Sequence, residues 1–212
     1  YTDEPLASEA VEVLQKAIAL VNEEANLNIQ LVLDEPRAFT GFKARLVNFT
    51  NVRNYLALVG PECKELDGIV GYYGEQLVLL AQSLGLNSCW VGGTYKVVNR
   101  AYNVDLGQKL AAVVALGYGA SQGVPHRSKA PQEVAPGYDG APEWFKRGVD
   151  AALLAPTALN QQKFSFSLDG EENDVPVVRA STKRGAFTQM DLGIAQCHFE
   201  IGAGNVLYRW SE

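Results

Sequence analysis

From Ser8 onward the apolar residues Ala10, Val11, Leu14, Ala17, Ile18 and Val21 recur at intervals of three and four. That spacing places them on one face of a helix, with Ser8 as its expected N-cap. Ile29 to Leu33 and Tyr55 to Val59 are short runs bounded by Asp34-Glu35-Pro36 and Gly60-Pro61, and both read as strands. A second helix is predicted from about Gly68 to Leu84, with Tyr73, Leu77, Leu80, Ala81 and Leu84 on its apolar side and Gly85 as a left-handed cap. Cys89 to Val91 is a short strand closing on Gly92-Gly93. Leu110 to Leu116 is apolar at every position, the pattern of a central strand covered on both faces.

Between Gly119 and Gly140 the prolines Pro125, Pro131 and Pro136 and repeated glycines predict an irregular connector. Pro142 and Glu143 open a further helix whose buried side is Phe145, Val149, Ala152 and Leu153. Phe164, Phe166 and Leu168 alternate with serines as a half-exposed strand, Val175 to Arg179 is another, and Met190 to Gly202 is the last helix.

Two stretches follow one order. A helix containing Ala17 to Leu20 leads through Asn26 or Asn28 to a strand and Asp34; a helix containing Ala151 to Leu154 leads through Asn160 to a strand and Asp169. Gly74 and Gly193 then sit alike in the helices that follow. The pattern suggests a divergent internal duplication, with a first half at 1–137 and a shorter second half at 138–212, packed as one globular unit.

The 212 residues are 47% hydrophobic and 20% charged, with a mean hydropathy of -0.06, which is the composition of a globular chain and excludes a disordered or low-complexity one. The net charge of -6 offers no global basic field for a polyanion, so nucleic acid is not an expected partner. Charge is uneven: residues 1–36 hold eight acids against Lys16, while residues 91–130 hold Lys96, Arg100, Lys109, Arg127 and Lys129 against Asp105. A basic stretch in an acidic chain suits a small anion. Cys63, Cys89 and Cys197 are odd in number and widely spaced, which predicts buried thiols in a reducing compartment and neither a disulfide framework nor a metal site. No run is long enough to span a bilayer and no leader pattern opens the chain, so a cytoplasmic protein without membrane contact is expected. On that reading the glycosylation pattern Asn48-Phe49-Thr50 has no meaning.

Four segments carry candidate chemistry. Gly119-Ala120-Ser121-Gln122-Gly123 matches the G-x-S-x-G turn of serine hydrolases, with Asp191 and His198 in formal triad order, but Pro125 and Pro131 stand where the following helix should be. His126-Arg127-Ser128-Lys129 could neutralise and hydrogen-bond a phosphate. Pro156-Thr157-Ala158-Leu159-Asn160-Gln161-Gln162 presents a hydroxyl and three amides, groups that suit the edge of a heteroaromatic ring. Trp90-Val91-Gly92-Gly93 lets backbone N–H groups approach a ligand closely.

Together these segments resemble the FMN-dependent nitroreductase family. Tyr1 to Leu6 is similar to the stretch just after the family's arginine-rich motif, Leu84 to Gly93 to its G-L-G-S-C-W-type segment, Ala115 to Gly119 and Arg127 to Pro131 to the strand end and basic loop near the flavin phosphate, and Ala155 to Gln162 to its A-P-S-x-x-N-x-Q loop. That loop normally stands early in the chain, where this sequence has only Val21 to Asn28, so the likeness is to the subgroup in which two halves of one chain mimic the usual homodimer.

The resemblance implies an α+β nitroreductase-like fold of mainly antiparallel sheets flanked by helices, forming a pseudo-dimer. It also implies one FMN per chain and a monomer, the symmetric second site being ruled out by Glu23 and Glu24. The implied cofactor residues are Val91, Gly92, Gly93, Arg127, Lys129, Pro156, Thr157, Asn160 and Gln162, with no catalytic side chain because the flavin carries the chemistry. Hydride from NADH or NADPH would pass through flavin N5 to a small nitroaromatic, quinone or enone in a ping-pong cycle. A flavin-binding protein without activity, and a hydrolase using Ser121, are the alternatives.

Overall fold

The computed structural model describes residues 1–40 and 49–211; Asn48 of the glycosylation pattern lies outside them. The chain divides into two compact units, Tyr1–Leu66 with Tyr73–Val124, and Asp67–Tyr72 with Pro125–Glu212. This division comes ahead of the expected boundary at 137. The residues after Pro125 join the second unit because Ser128 and Lys129 are hydrogen-bonded to Leu153 and Gln162 there.

In the first unit, helix α1 (Ser8–Ala25) buries Ala10, Leu14, Ile18 and Val21, the stripe that the periodicity predicts. Ser8 is its first helical residue, not its cap: Ala7 occupies the N-cap and makes no side-chain hydrogen bond, while its carbonyl accepts from the Val11 N–H. Strands β1 (Gln30–Val32), β2 (Asn54–Pro61), β3 (Asn87–Val91) and β4 (Gln108–Gly117) form an antiparallel sheet in the order β1-β2-β4-β3. The two apolar runs therefore lie side by side at its centre. Tyr55 to Val59 and Ala112 to Leu116 are fully buried at every position, so both faces of these strands are covered. On one face Phe39, Val52, Tyr55, Ala57, Val113 and Ala115 make a core cluster with Val91.

Helix α2 (Leu66–Ser83) ends as expected on Gly85, at φ 80°, with the Leu86 N–H returning to the Ala81 carbonyl. Gly74 makes room for Trp90, whose indole N–H donates to the buried Glu75 at 2.8 Å.

The connector contains a short helix α3 (Pro131–Val134) and a 3-10 turn (Tyr138–Gly140), neither of which the breakers suggested. Pro131 supplies the first helical position and Glu133 accepts from the Ala130 N–H at 2.9 Å, so one turn forms despite the prolines. Helix α4 (Glu143–Ala152), strands β5 (Phe164–Glu172) and β6 (Val175–Thr182), helix α5 (Thr188–Ala203) and the two-residue strand β7 (Arg209–Trp210) complete the second unit. Its sheet runs β5-β6-β7, with β5 antiparallel and β7 parallel to β6. Phe199 of α5 centres its core, stacking on Phe166 at 4.7 Å and meeting Phe145 edge-on at 5.5 Å. A Cβ on Gly148 would strike the Phe199 ring and one on Gly202 would strike the Arg147 carbonyl, so these glycines set the close approach of α4 and α5.

Residues of α2 and α5 also approach closely. A Cβ on Gly71 would clash with the Met190 carbonyl, and one on Gly193 with the Gly68 carbonyl. These pairs are reciprocal at one offset, since 190 and 193 are each 122 residues beyond 68 and 71. The starts of α2 and α5, and of β3 and β7, show the same offset, which makes Gly71, and not the expected Gly74, the counterpart of Gly193.

Cys197 is buried, but Cys63 and Cys89 are exposed, contrary to the expectation of three buried thiols. Cys63 lies in the turn before α2 and Cys89 on β3, the edge strand of its sheet. Among the described residues, no group of three or more His, Cys, Asp or Glu side chains could hold a metal ion, and no helix is long and apolar enough to cross a membrane.

Candidate functional site

In the second unit the two sequence segments rich in ligand-type groups are clasped together. The first is the loop after Pro125; the second runs from the end of α4 through a 3-10 turn (Ala158–Asn160) to β5. Ser128 Oγ donates to the Leu153 carbonyl at 3.1 Å, and the Lys129 N–H donates to Gln162 Oε1 at 2.9 Å. Lys129 Nζ donates to the carbonyls of Gln162 at 2.6 Å and Gln161 at 3.3 Å. The Arg127 carbonyl accepts from both Asn160 Nδ2 and Gln162 Nε2, each at 2.9 Å.

Gln162 is the hub of this arrangement. Its side chain is 3% exposed, and besides the two bonds above its Nε2 donates to Asn160 Oδ1 at 2.6 Å. Both amide protons and the carbonyl are thereby occupied by protein, so Gln162 positions the two loops against one another. Asn160, by contrast, is exposed and has a second amide proton available. Thr157 Oγ1 accepts from the Gln162 N–H at 3.1 Å, which leaves its own proton free to donate outward.

The backbone of this loop is held in an uncommon state. Leu159, Asn160 and Gln162 all have positive φ, at 53°, 53° and 43°, and the Leu159 side chain is fully exposed. Such residues persist where surrounding contacts over-determine them. Here the contacts come from beneath: buried Asp191, in the first turn of α5, accepts the Ala158 N–H at 2.9 Å on Oδ1 and Gln161 Nε2 at 2.7 Å on Oδ2. Burial pushes the Asp191 carboxyl above its ordinary value, and the bonds from Ala158 and Gln161 and the charge of Lys163 offset only part of that. Asp191 and Gln162 are the positioning residues that sequence reasoning missed in that role. An acid in the first turn of the helix, on the side of the apolar Met190, Ile194 and Ala195, was the available signal.

Of the residues expected to bind a cofactor, Arg127, Lys129, Pro156, Thr157, Asn160 and Gln162 are brought together in the second unit. Val91, Gly92 and Gly93 belong to the first. There Val91 is buried at the end of β3, opposite Val113, and the chain bends immediately afterward, with open space where a Gly93 side chain would stand. Ser121 lies in irregular chain that continues to Pro131, so no helix follows it to form a nucleophile elbow.

The sequence pattern of the family described as "Putative TM nitroreductase" matches residues 1–203. A nitroreductase of Thermotoga maritima, itself described as putative, superposes with a TM-score of 0.57 at 17% identity, covering 88% of this chain and 81% of that one. A Parabacteroides distasonis protein described as a putative NADH dehydrogenase/NAD(P)H nitroreductase superposes with a TM-score of 0.50 at 17% identity, covering 63% and 88%. No similar protein was found among curated sequences.

Proposed function

The chain belongs to the family described as "Putative TM nitroreductase" and has the nitroreductase-like α+β fold; on that premise we propose that it is an FMN-dependent oxidoreductase drawing on NADH or NADPH to reduce a small acceptor. The observation that carries this reading is the clasp. It joins a loop presenting a hydroxyl and an amide to a loop whose Arg127 guanidinium makes no ion pair among the described residues. A phosphate fits such a donor set, because an unneutralised guanidinium and the remaining Lys129 proton supply charge, and the adjoining neutral donors suit a polar ring.

When bound, FMN supplies hydride transfer between reductant and acceptor. The protein's part is to bind and orient. Arg127 and Lys129 neutralise the phosphate, and Thr157 and Asn160 donate to ring or ribityl oxygens. Pro156 sets the extended entry to the loop, while Gln162 and Asp191 hold it in place. No side chain is required as nucleophile or general acid. Nitroaromatics, quinones and enones are the acceptor classes to assay.

The repeated element order and the reciprocal glycine contacts at a constant offset support a duplicated chain that mimics a dimer. One FMN per chain follows, because Glu23 and Glu24 occupy the corresponding loop of the first half. The test is FMN titration by flavin fluorescence with wild type, Arg127→Ala and Asn160→Asp. Both substitutions are expected to weaken binding tenfold or more, Asn160→Asp by placing an acid beside an anionic ligand. Unchanged affinity in both would refute the assignment.

A further inference from the structure

The cations of the second unit fall into two groups. Lys146, Arg179 and Arg209 are ion-paired with Glu143, Asp169 and Glu172, and Arg147 donates to the Ala203 carbonyl. Arg127, Lys129, Lys163, Lys183 and Arg184 form no ion pair among the described residues, and all five lie along the clasped loop or the turn beside it. Of these five, Lys163 feels the carboxylate of Asp191, which is buried under the loop.

Lys163 and Lys183 end the paired region of β5 and β6 as cross-strand neighbours. The Lys183 N–H donates to the Lys163 carbonyl at 3.2 Å, next to the Phe164–Thr182 pair. Like charges placed opposite one another are destabilising, so nothing in the packing of the sheet calls for them. The Lys163 ammonium lies over Gly185, 2.8 Å from where a Cβ would stand, in the turn that Arg184 enters. Gly185 thus leaves room for an ammonium group beside the two exposed cations Lys183 and Arg184.

One phosphomonoester carries a charge of about -1.5 to -2 at neutral pH. The FMN phosphate, on the reading above, is matched by Arg127 and Lys129, which leaves Lys183 and Arg184 without an ion-pair partner among the described residues and Lys163 with only the buried Asp191 nearby. NADPH differs from NADH by one further phosphomonoester. We propose that Lys163, Lys183 and Arg184 form a second phosphate site that holds the 2′-phosphate of the reductant and so selects NADPH over NADH. The proposal rests on the oxidoreductase reading and adds to it the residues that choose the reductant.

The experiment is calorimetric binding of 2′,5′-ADP and of 5′-AMP to the full chain loaded with FMN, in wild type and in the double variant Lys183→Ala/Arg184→Ala. Both side chains are exposed, so their loss leaves no buried group unpaired. Wild type is expected to bind 2′,5′-ADP at least tenfold more tightly than 5′-AMP. That preference should weaken with added salt and fall at least tenfold in the variant, with flavin content unchanged. Equal affinity for the two nucleotides in wild type, or a preference that survives in the variant, would overturn the site. Binding is read without turnover. A protein that prefers 2′,5′-ADP yet oxidises neither dinucleotide would therefore refute the oxidoreductase reading while leaving the phosphate site standing. One that oxidises NADH and NADPH equally, with no nucleotide preference, would do the reverse.

Discussion

Replacing Gln162 with methionine, a side chain of similar length and shape, removes the polar hub and leaves the packing nearly unchanged. Four groups lose a partner: the Lys129 N–H, the Arg127 carbonyl, Asn160 Oδ1 and, at 3.4 Å, the Asn160 carbonyl. The Arg127 carbonyl keeps the Asn160 amide, and exposed Asn160 Oδ1 can turn to water, but the Lys129 N–H is left part-buried without an acceptor. An orphaned donor of that kind costs about 1–3 kcal/mol and each neutral hydrogen bond about 0.5–1.5 kcal/mol, so the loss should total about 2–4 kcal/mol. For a chain of this length that lowers Tm by about 4–16 °C. Urea unfolding gives the free energy, and hydrogen exchange at the Lys129 amide reports the local event. In wild type that amide should be protected, and in Gln162→Met it should exchange markedly faster than amides of β2 or β4. A stability change below about 0.5 kcal/mol with Lys129 protection intact would show that Gln162 does not hold the clasp.

Three further outcomes test other parts of the account. Asp191→Asn puts an amide donor against the Gln161 amide and should destabilise the fold. Because burial raises the Asp191 pKa, its contribution is fully present below the ordinary value near 3.8 and declines as pH rises through the raised one, so the gap between wild type and variant should be widest at acid pH and narrow toward neutrality in pH-dependent unfolding. Leu159→Gly should leave stability unchanged or raise it by up to about 1 kcal/mol by thermal unfolding, since a left-handed residue with an exposed side chain gives up strain and no packing. Gly193→Ala should destabilise by about 1–3 kcal/mol or more, because its methyl meets the Gly68 carbonyl, and Gly71→Ala should behave alike at the reciprocal contact.

The parts legible in the sequence are those set by local pattern. Leu110 to Leu116 announced a central strand because both of its faces are covered, and Gly85 marked a helix end because its φ of 80° strongly favours glycine. The two-residue strand β7 was illegible, since its place beside β6 comes from tertiary contacts of Trp210 with Phe166, Phe199 and Glu200 and not from any periodicity. The segments rich in ligand-type groups were visible as residue types, but their division of labour was not. Gln162 and Asn160 read alike as amides in one loop, and burial alone separates the one that positions the loop from the one that faces outward. Lys163 stands 20 residues before the adjacent Lys183 and Arg184, and only the pairing of β5 with β6 brings it to them.

The central claim is tested most directly by adding FMN to the purified chain, removing excess by desalting, and recording the visible spectrum before and after NADPH or NADH under anaerobic conditions. About one retained flavin per chain is expected, bleached by reductant and recoloured by a quinone or nitroaromatic. A protein that retains no flavin, or retains flavin that neither dinucleotide bleaches, would contradict it.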